Sequence, residues 1–344
     1  AYAGGGVAAS GGGERGVDLA AVAGVSAAGG VRVRGGSVRA LVRGQAPAGT
    51  GRLGVGGACR LGHPGRADAV ARERGGLGCR AQERGVGEAM PEEDPELVEV
   101  LRRQLAADGL VLREGVEIDR VERDGDAVAV VLKADGGGEE RVTGSRRLLA
   151  PGRPPTVDGL DLEKAGIAYS PKGIQVDARL RTTNKKVYAI GDVAGGLQFT
   201  HVAGYHAGVV IKNALFRWPA KADPSAIPWV TYTAPELAQV GLTAEQAKDK
   251  EGDIRVLRWP FADNDRARAE RAIDGMVKAV VTPKGKVLGA GIVGAHAGEL
   301  IQPWVLAVQG KLKVGDLAQT VAPYPTLGEA SKRAAGSFYP ASLF

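Results

Sequence analysis

The feature that most constrains folding is a break in composition near Met90. The first ninety residues hold 25 of the chain's 53 glycines, twelve arginines and no lysine. They contain no Ile, Phe, Trp or Asn; the first isoleucine is Ile118 and the first asparagine Asn184. A stretch so poor in large apolar side chains buries little surface, at roughly 25 cal/mol per Å², against the entropy of ordering its backbone. It is not expected to fold by itself. Two readings fit it: a flexible low-complexity leader, and a GC-rich gene segment translated out of frame, since Gly, Ala, Arg, Val and Pro have GC-rich codons.

The same break explains the charge. The 344-residue chain carries a formal net charge of +6, and all of it lies before residue 91, where six acidic residues face the twelve arginines. The remainder is balanced, with 33 basic and 33 acidic side chains. Nucleic-acid binding needs a basic face on a folded domain with aromatics for stacking. Here the arginines are scattered among Gly and Ala, and Tyr2 is the one aromatic in the stretch, so nucleic acid is not an expected partner. No run of eighteen apolar residues exists, which argues against a transmembrane helix. Two cysteines, Cys59 and Cys79, cannot form a disulfide-rich secreted scaffold. The chain opens on Ala1 with no signal-peptide pattern. The expectation is a cytoplasmic protein, incomplete at its N-terminus.

From Met90 the pattern becomes regular. In MPEEDPELVEVLRRQLAADGL, Leu97, Val98, Leu101 and Leu105 form an apolar stripe at helical spacing. Pro91 and the acids Glu92, Glu93 and Asp94 suit a first turn, and Gly109 suits a stop. Strand-like runs follow at Val111–Leu112, Val116–Val121, Ala127–Leu132 and Arg141–Leu149, with an Asp124-Gly125 hairpin signal. Residues 148–167 read as an apolar strand, a Gly152-Arg153-Pro154 turn and a helix-like piece.

Then Val187–Ile190 reads as a short buried strand ending at Gly191-Asp192, followed by Gly195-Gly196 and a helix from His201 to Phe216. Open α/β sheets bind ligands just past the carboxyl ends of their strands. An Asp there can accept hydrogen bonds from a polyol, or it can cap the next helix. The local sequence leaves both open. Farther on, Trp229–Thr233, Ile254–Trp259, Met276–Val281 and Val287–Val293 read as antiparallel strands with a Pro283-Lys284-Gly285 turn. Glu299–Val308 and Leu327–Ala335 read as helices.

Six segments in order carry a resemblance: residues 148–167, residues 173–196, FTHVAGYHAG, YTAPELAQVGLTAEQAK, HAGELIQPWVLAV and VAPYPTLGEASKRAA. Together they resemble the flavin-dependent pyridine nucleotide–disulfide oxidoreductases of the dihydrolipoamide dehydrogenase, glutathione reductase and mercuric reductase type. The resemblance runs from about Met90 to the C-terminus.

It implies an α/β fold with an α+β C-terminal part. The expected division is 1–50 low-complexity, 51–150 a degenerate NAD(P)-binding domain, 151–222 the C-terminal part of an FAD-binding domain, and 223–344 an antiparallel-sheet dimerisation domain. The implied cofactors are FAD and NAD(P)H, and the implied partner is a second copy of the chain. The implied cofactor contacts are Gly152, Arg153, Gly191, Asp192, Thr200, His201, Val202 and Ala203, with the Asp192 carboxylate on the ribityl chain. His201 and His206 read as packing or backbone-contacting groups, and no cluster around them suggests a metal.

The family's His-Pro-Thr-x-x-Glu segment corresponds to Tyr324-Pro325-Thr326-Leu327-Gly328-Glu329, giving Tyr324 and Glu329 as the implied catalytic pair. A phenol with pKa about 10 is a poor base at neutral pH, unlike the His it replaces. This leans away from lipoamide or glutathione and towards the mercuric-reductase-like branch.

Two departures weigh against activity. The family's redox cysteines lie four residues apart, whereas Cys59 and Cys79 are twenty apart. The nearest dinucleotide fingerprint, Leu53–Cys59, has Cys where the third Gly belongs, and Pro64 disturbs the alternative at Gly62–Gly65. Two functions therefore stand: hydride transfer from NAD(P)H to flavin, or an inactive truncated or frame-disrupted relative acting only as a dimerisation fragment.

Overall fold

The computed structural model describes residues 90, 92–133, 138–150, 152 and 154–340, and the backbone of Leu19–Val22. The readings placed on Cys59, Cys79, the Leu53–Cys59 fingerprint, Pro91 and Arg153 lie outside the described residues. The described residues fall into two compact units, one holding 19–22 and 107–149, the other 90–106 and 150–340.

In the first unit, strand β1 (Leu19–Val22) pairs in parallel with β5 (Arg146–Leu149). Strands β2 (Glu117–Asp124), β3 (Ala127–Lys133) and β4 (Glu139–Gly144) form an antiparallel meander in that order. The Asp124-Gly125 signal is a true hairpin turn, with Gly125 at φ +61°. Central β3 carries the apolar run Ala129–Leu132, buried throughout. Its charged neighbours zip across the sheet: Arg120 grips both oxygens of Glu139, at 2.7 and 2.9 Å, and Arg141 meets Glu122. Two expectations need correction. Val111–Leu112 forms no strand; the turn at Gly109 leaves both side chains exposed without a pairing partner among the described residues. The segment 141–149 is two strands rather than one, broken at Ser145.

The second unit begins with helix α1 (Pro95–Ala107). Asp94, not a residue near Pro91, sets its start: the Asp94 carboxylate accepts from the Glu96 N–H at 3.1 Å, and Pro95 occupies the first helical position. Residues 150–227 follow. The short hairpin β6 (Tyr169–Ser170) with β7 (Gly173–Ile174) packs Ile174 with Leu162, Ile167 and Ala189. The helix-like piece expected near 161–166 is instead two successive turns, pinned by buried Leu162 and Ile167. Val187–Ile190 is extended but pairs only through a bridge between Arg181 and Tyr188 among the described residues. Helix α2 spans Thr200–Ala214.

The remainder is a five-stranded antiparallel sheet in the order β10-β11-β12-β9-β8, built from β8 (Trp229–Thr231), β9 (Glu236–Gly241), β10 (Arg255–Pro260), β11 (Met276–Val281) and β12 (Val287–Gly294). Strand β9 was not expected, although it pairs with both β8 and β12. Helices α3 (Ala244–Glu251), α4 (Asp265–Glu270), α5 (Ala297–Leu300), α6 (Gln302–Gly310), α7 (Val314–Ala318) and α8 (Glu329–Gly336) complete it. The helix expected over Glu299–Val308 is thus split at Ile301.

Alternation along the strands sorts the packing. Ala238, Val240, Val277, Ala279, Ala290 and Ile292 point one way, into a core with Ile301, Trp304 and Ala334. Leu237 and Val293 point the other way, against Leu97, Val98 and Val100 of α1, while Val280 and Leu288 meet Ala247 of α3. Gly291 on that second face admits α1: a methyl there would lie 2.3 Å from Leu97 Cδ1.

Candidate functional site

Two groups of residues stand out in the second unit. The first surrounds the turn of 3-10 helix Gly191–Ala194, which follows the extended Ile190. Gly191 has φ +66°, and a Cβ on it would sit 3.0 Å from Ala203 Cβ. Gly173 has φ +121°, and its Cβ would fall 2.6 Å from the Val193 carbonyl. These two positions need glycine for both conformation and space. Together they hold β7, the 191–195 turn and the start of α2 in contact.

α2 opens without a side-chain cap: Phe199 precedes it, and its carbonyl accepts from the Val202 and Ala203 N–H groups. Among the described residues, the N–H groups of Thr200 and His201 have no partner. An uncapped N-terminus of a fifteen-residue helix presents bare donors and the positive end of its dipole. Asp192 is half-buried and follows Gly191, which packs on Ala203 of α2, and its carboxylate has no partner among the described residues. It does not cap α2, which removes the capping alternative.

Both histidine rings hydrogen-bond to backbone. His206 Nδ1 accepts from the Gly191 N–H at 3.2 Å, so the turn is fastened to α2, and burial pushes the imidazole below its usual value. His201 Nε2 donates to the Pro228 carbonyl at 2.8 Å while its ring stacks on Phe199 at 5.1 Å. Val202 is buried, and Gly152 has φ +92°.

The second group is the loop before α8. Tyr324 is 70% exposed, and its hydroxyl donates to Asp265 Oδ2 at 3.1 Å. That contact raises the phenol above its usual value. Glu329, the first residue of α8, accepts from the Thr326 N–H at 3.4 Å and so orders the loop rather than the phenol. Buried Asn264 ties the two ends: its Oδ1 accepts from Ala267 N–H as the cap of α4, and its Nδ2 donates to the Thr326 carbonyl at 3.0 Å. Asn264 and Asp265 were not anticipated, though Asn-Asp before an Ala-rich helical run is a capping signature.

Tyr324 pairs with Asp265 and Glu329 with Thr326, neither of which belongs to the Gly191–Ala203 group. Among the described residues no three His, Cys, Asp or Glu side chains gather to hold a metal, and no helix is long and apolar enough to cross a membrane.

Comparisons with known proteins point to one family. Residues 76–207 match the pyridine nucleotide-disulphide oxidoreductase family, and residues 227–335 match its dimerisation domain. The mercuric reductase of Bacillus cereus is 38% identical over 252 residues, which is 72% of this chain and 40% of that protein. A dihydrolipoyl dehydrogenase of Thermus scotoductus is 37% identical over 260 residues, covering 73% of this chain and 55% of that protein. Among solved structures, LpdA from Mycobacterium tuberculosis superposes with TM-score 0.67 at 30% identity, over 73% of this chain and 54% of that one. The chain therefore spans about half the length of the relatives it matches.

Proposed function

The chain belongs to the pyridine nucleotide–disulphide oxidoreductase family, and from that premise we propose that it serves as an FAD-dependent NAD(P)H oxidoreductase of the mercuric-reductase-like branch, working as a homodimer. FAD and NAD(P)H are the cofactors of the family, and bound flavin supplies the capacity to accept a hydride from the nicotinamide.

The residues of the first group fit the flavin cofactor. Gly191 packs directly on Ala203 with no room for a Cβ, which holds the Gly191-Asp192 turn against α2. The Asp192 carboxylate, half-buried and uncommitted among the described residues, suits the hydroxyls of a ribityl chain. The Thr200 and His201 N–H groups at the start of α2, with Val202 and Ala203 behind them, suit negative charge on the ring. Gly152 and Arg153 complete the proposed contact set. Of these observations, the uncommitted Asp192, on a turn that packs against α2, carries the reading.

Tyr324 and Glu329 are the proposed contribution of the interface region to the partner's flavin. With its proton directed to Asp265, Tyr324 is a hydrogen-bond donor and not a base, so proton shuttling for a dithiol is not its role. This supports the branch assignment, to which identities of 38% to mercuric reductases and 37% to a dihydrolipoyl dehydrogenase add no preference. NAD(P)H binding would fall to the 51–150 region.

A second reading, a dimerisation module without redox chemistry, is favoured by one observation: Cys59 and Cys79 are the chain's two cysteines, and their separation cannot match a four-residue redox pair. The visible spectrum of the purified protein separates the two. Stoichiometric yellow flavin that bleaches with NAD(P)H supports the oxidoreductase, and colourless protein overturns it in favour of the module.

A further inference from the structure

α1 meets the sheet through three carboxylates within four residues, Glu93, Asp94 and Glu96. Asp94 accepts from Lys278 Nζ at 2.7 Å, and its N–H donates to Gln239 Oε1 at 3.2 Å. Glu96 takes Lys278 at 2.7 Å and a two-pronged Arg258 at 2.6 and 2.9 Å. Among the described residues no cation is within ion-pair distance of Glu93. Both its oxygens share the single Trp229 indole N–H, at 2.9 and 2.8 Å, in a site where the residue is 9% exposed.

One indole N–H, with the Thr231 hydroxyl as a weaker second donor, does not replace the water a buried carboxylate loses. The charged groups around the cluster do not help. Glu92 and Asp94 of the same segment repel a negative charge. Lys278 of β11 is committed to Asp94 and Glu96, and Arg258 of β10 to Glu96. Glu236 of β9 holds the Gly298 N–H, and the contributions of β8 are the neutral Trp229 and Thr231. Burial outweighs the hydrogen bonds and pushes Glu93 up to about 7.

We propose that the buried Glu93 carboxyl is a proton-sensitive latch on the N-terminal end of α1, seated on the sheet when it is neutral and loosened when it is ionised. Glu93 lies in the segment matched to the oxidoreductase family and Trp229 in the segment matched to its dimerisation domain, so the proton controls the tie between the two matched segments. The sign follows from the raised value. The contribution is complete below the ordinary carboxyl value of 4.5 and is lost by the time the pH has risen through about 7.

The test uses the full chain labelled with carbon-13 at the glutamate carboxyls, with hydrogen exchange of the α1 amides followed in parallel. The resonance missing in Glu93→Gln should titrate near neutrality. Protection of the α1 amides, corrected for intrinsic exchange, should fall by up to about tenfold per pH unit below neutrality and level off above it. Glu93→Gln should abolish that fall. Trp229→Phe, which keeps the ring and removes the donor, should move the Glu93 titration upward. A Glu93 resonance titrating in the ordinary carboxyl range, an unchanged fall in Glu93→Gln, or an unmoved titration in Trp229→Phe would each overturn the latch.

Discussion

The Tyr324 hydroxyl reaches across 59 residues of sequence to donate to Asp265 Oδ2 at 3.1 Å, joining the loop before α8 to the start of α4. A phenol that gives its proton to a carboxylate resists ionisation, and this one is held above its usual range. Asp265→Asn should therefore let Tyr324 ionise at lower pH. The tyrosinate absorbance would be titrated in both proteins, with Tyr324→Phe identifying the signal. Coincident curves would mean that the contact does not hold in solution.

Lys278 bonds both Asp94 and Glu96, and its side chain and that of Asp94 are almost fully buried. Lys278→Met should strand the Asp94 carboxylate and cost about 3–5 kcal/mol, the range for removing one partner of a buried pair. Urea unfolding of both proteins measures it. Glu96, which Arg258 first and then Lys278 hold down to about 2, gives stability that is present above 4.5 and is lost as the pH falls through about 2. Lys278→Met should bring that acid loss to higher pH.

Asp192→Ala should weaken FAD binding by roughly 1.5–3 kcal/mol, about ten- to a hundredfold, as expected for a charge-assisted hydrogen bond. Titration of apoprotein with FAD, followed by flavin fluorescence, gives the two affinities. Equal affinities would remove Asp192 from the proposed contact set.

Gly275 has φ +132°, and a methyl there would sit 2.0 Å from the Val293 carbonyl oxygen, a backbone atom of the neighbouring strand. Gly275→Ala should destabilise the sheet by about 1–3 kcal/mol or more, because both the conformation and the space are wrong. By contrast, Gly252→Ala meets no atom within 4 Å and strains only a positive φ, so its loss should be smaller. Thermal denaturation of the pair ranks them.

Elements with strong periodicity were legible in the sequence. The α1 stripe, the Asp124-Gly125 hairpin, α2 and four of the five sheet strands all appear close to their expected places. β9 was hidden because its polar residues break the apolar alternation, and Ala234-Pro235-Glu236 imitates a turn. Gln239 is nevertheless buried there because it serves Asp94, 145 residues away, a partnership no local pattern announces. The start of α1 was misplaced for a related reason: three acids precede it, and only geometry shows that Asp94 is the cap. Of the candidate site, the sequence placed Gly191-Asp192 between an extended run and a helix but left the role of the aspartate open, and the family resemblance supplied the assignment. Asp265 was not legible, since it meets Tyr324 only through the folded sheet.

The glycine at position 291 has a practical consequence for anyone cutting or grafting this protein. It shapes a socket for Leu97, and the apolar side chains Leu237 and Val293 line the same face. A fragment begun at residue 227, where the dimerisation match starts, would leave that socket open to water and the buried Lys278 ammonium without Asp94 or Glu96. The autonomous piece is therefore discontinuous in sequence. A transplanted dimerisation domain must bring residues 90–106 with it, or replace Gly291 and Lys278 with apolar side chains that close the face.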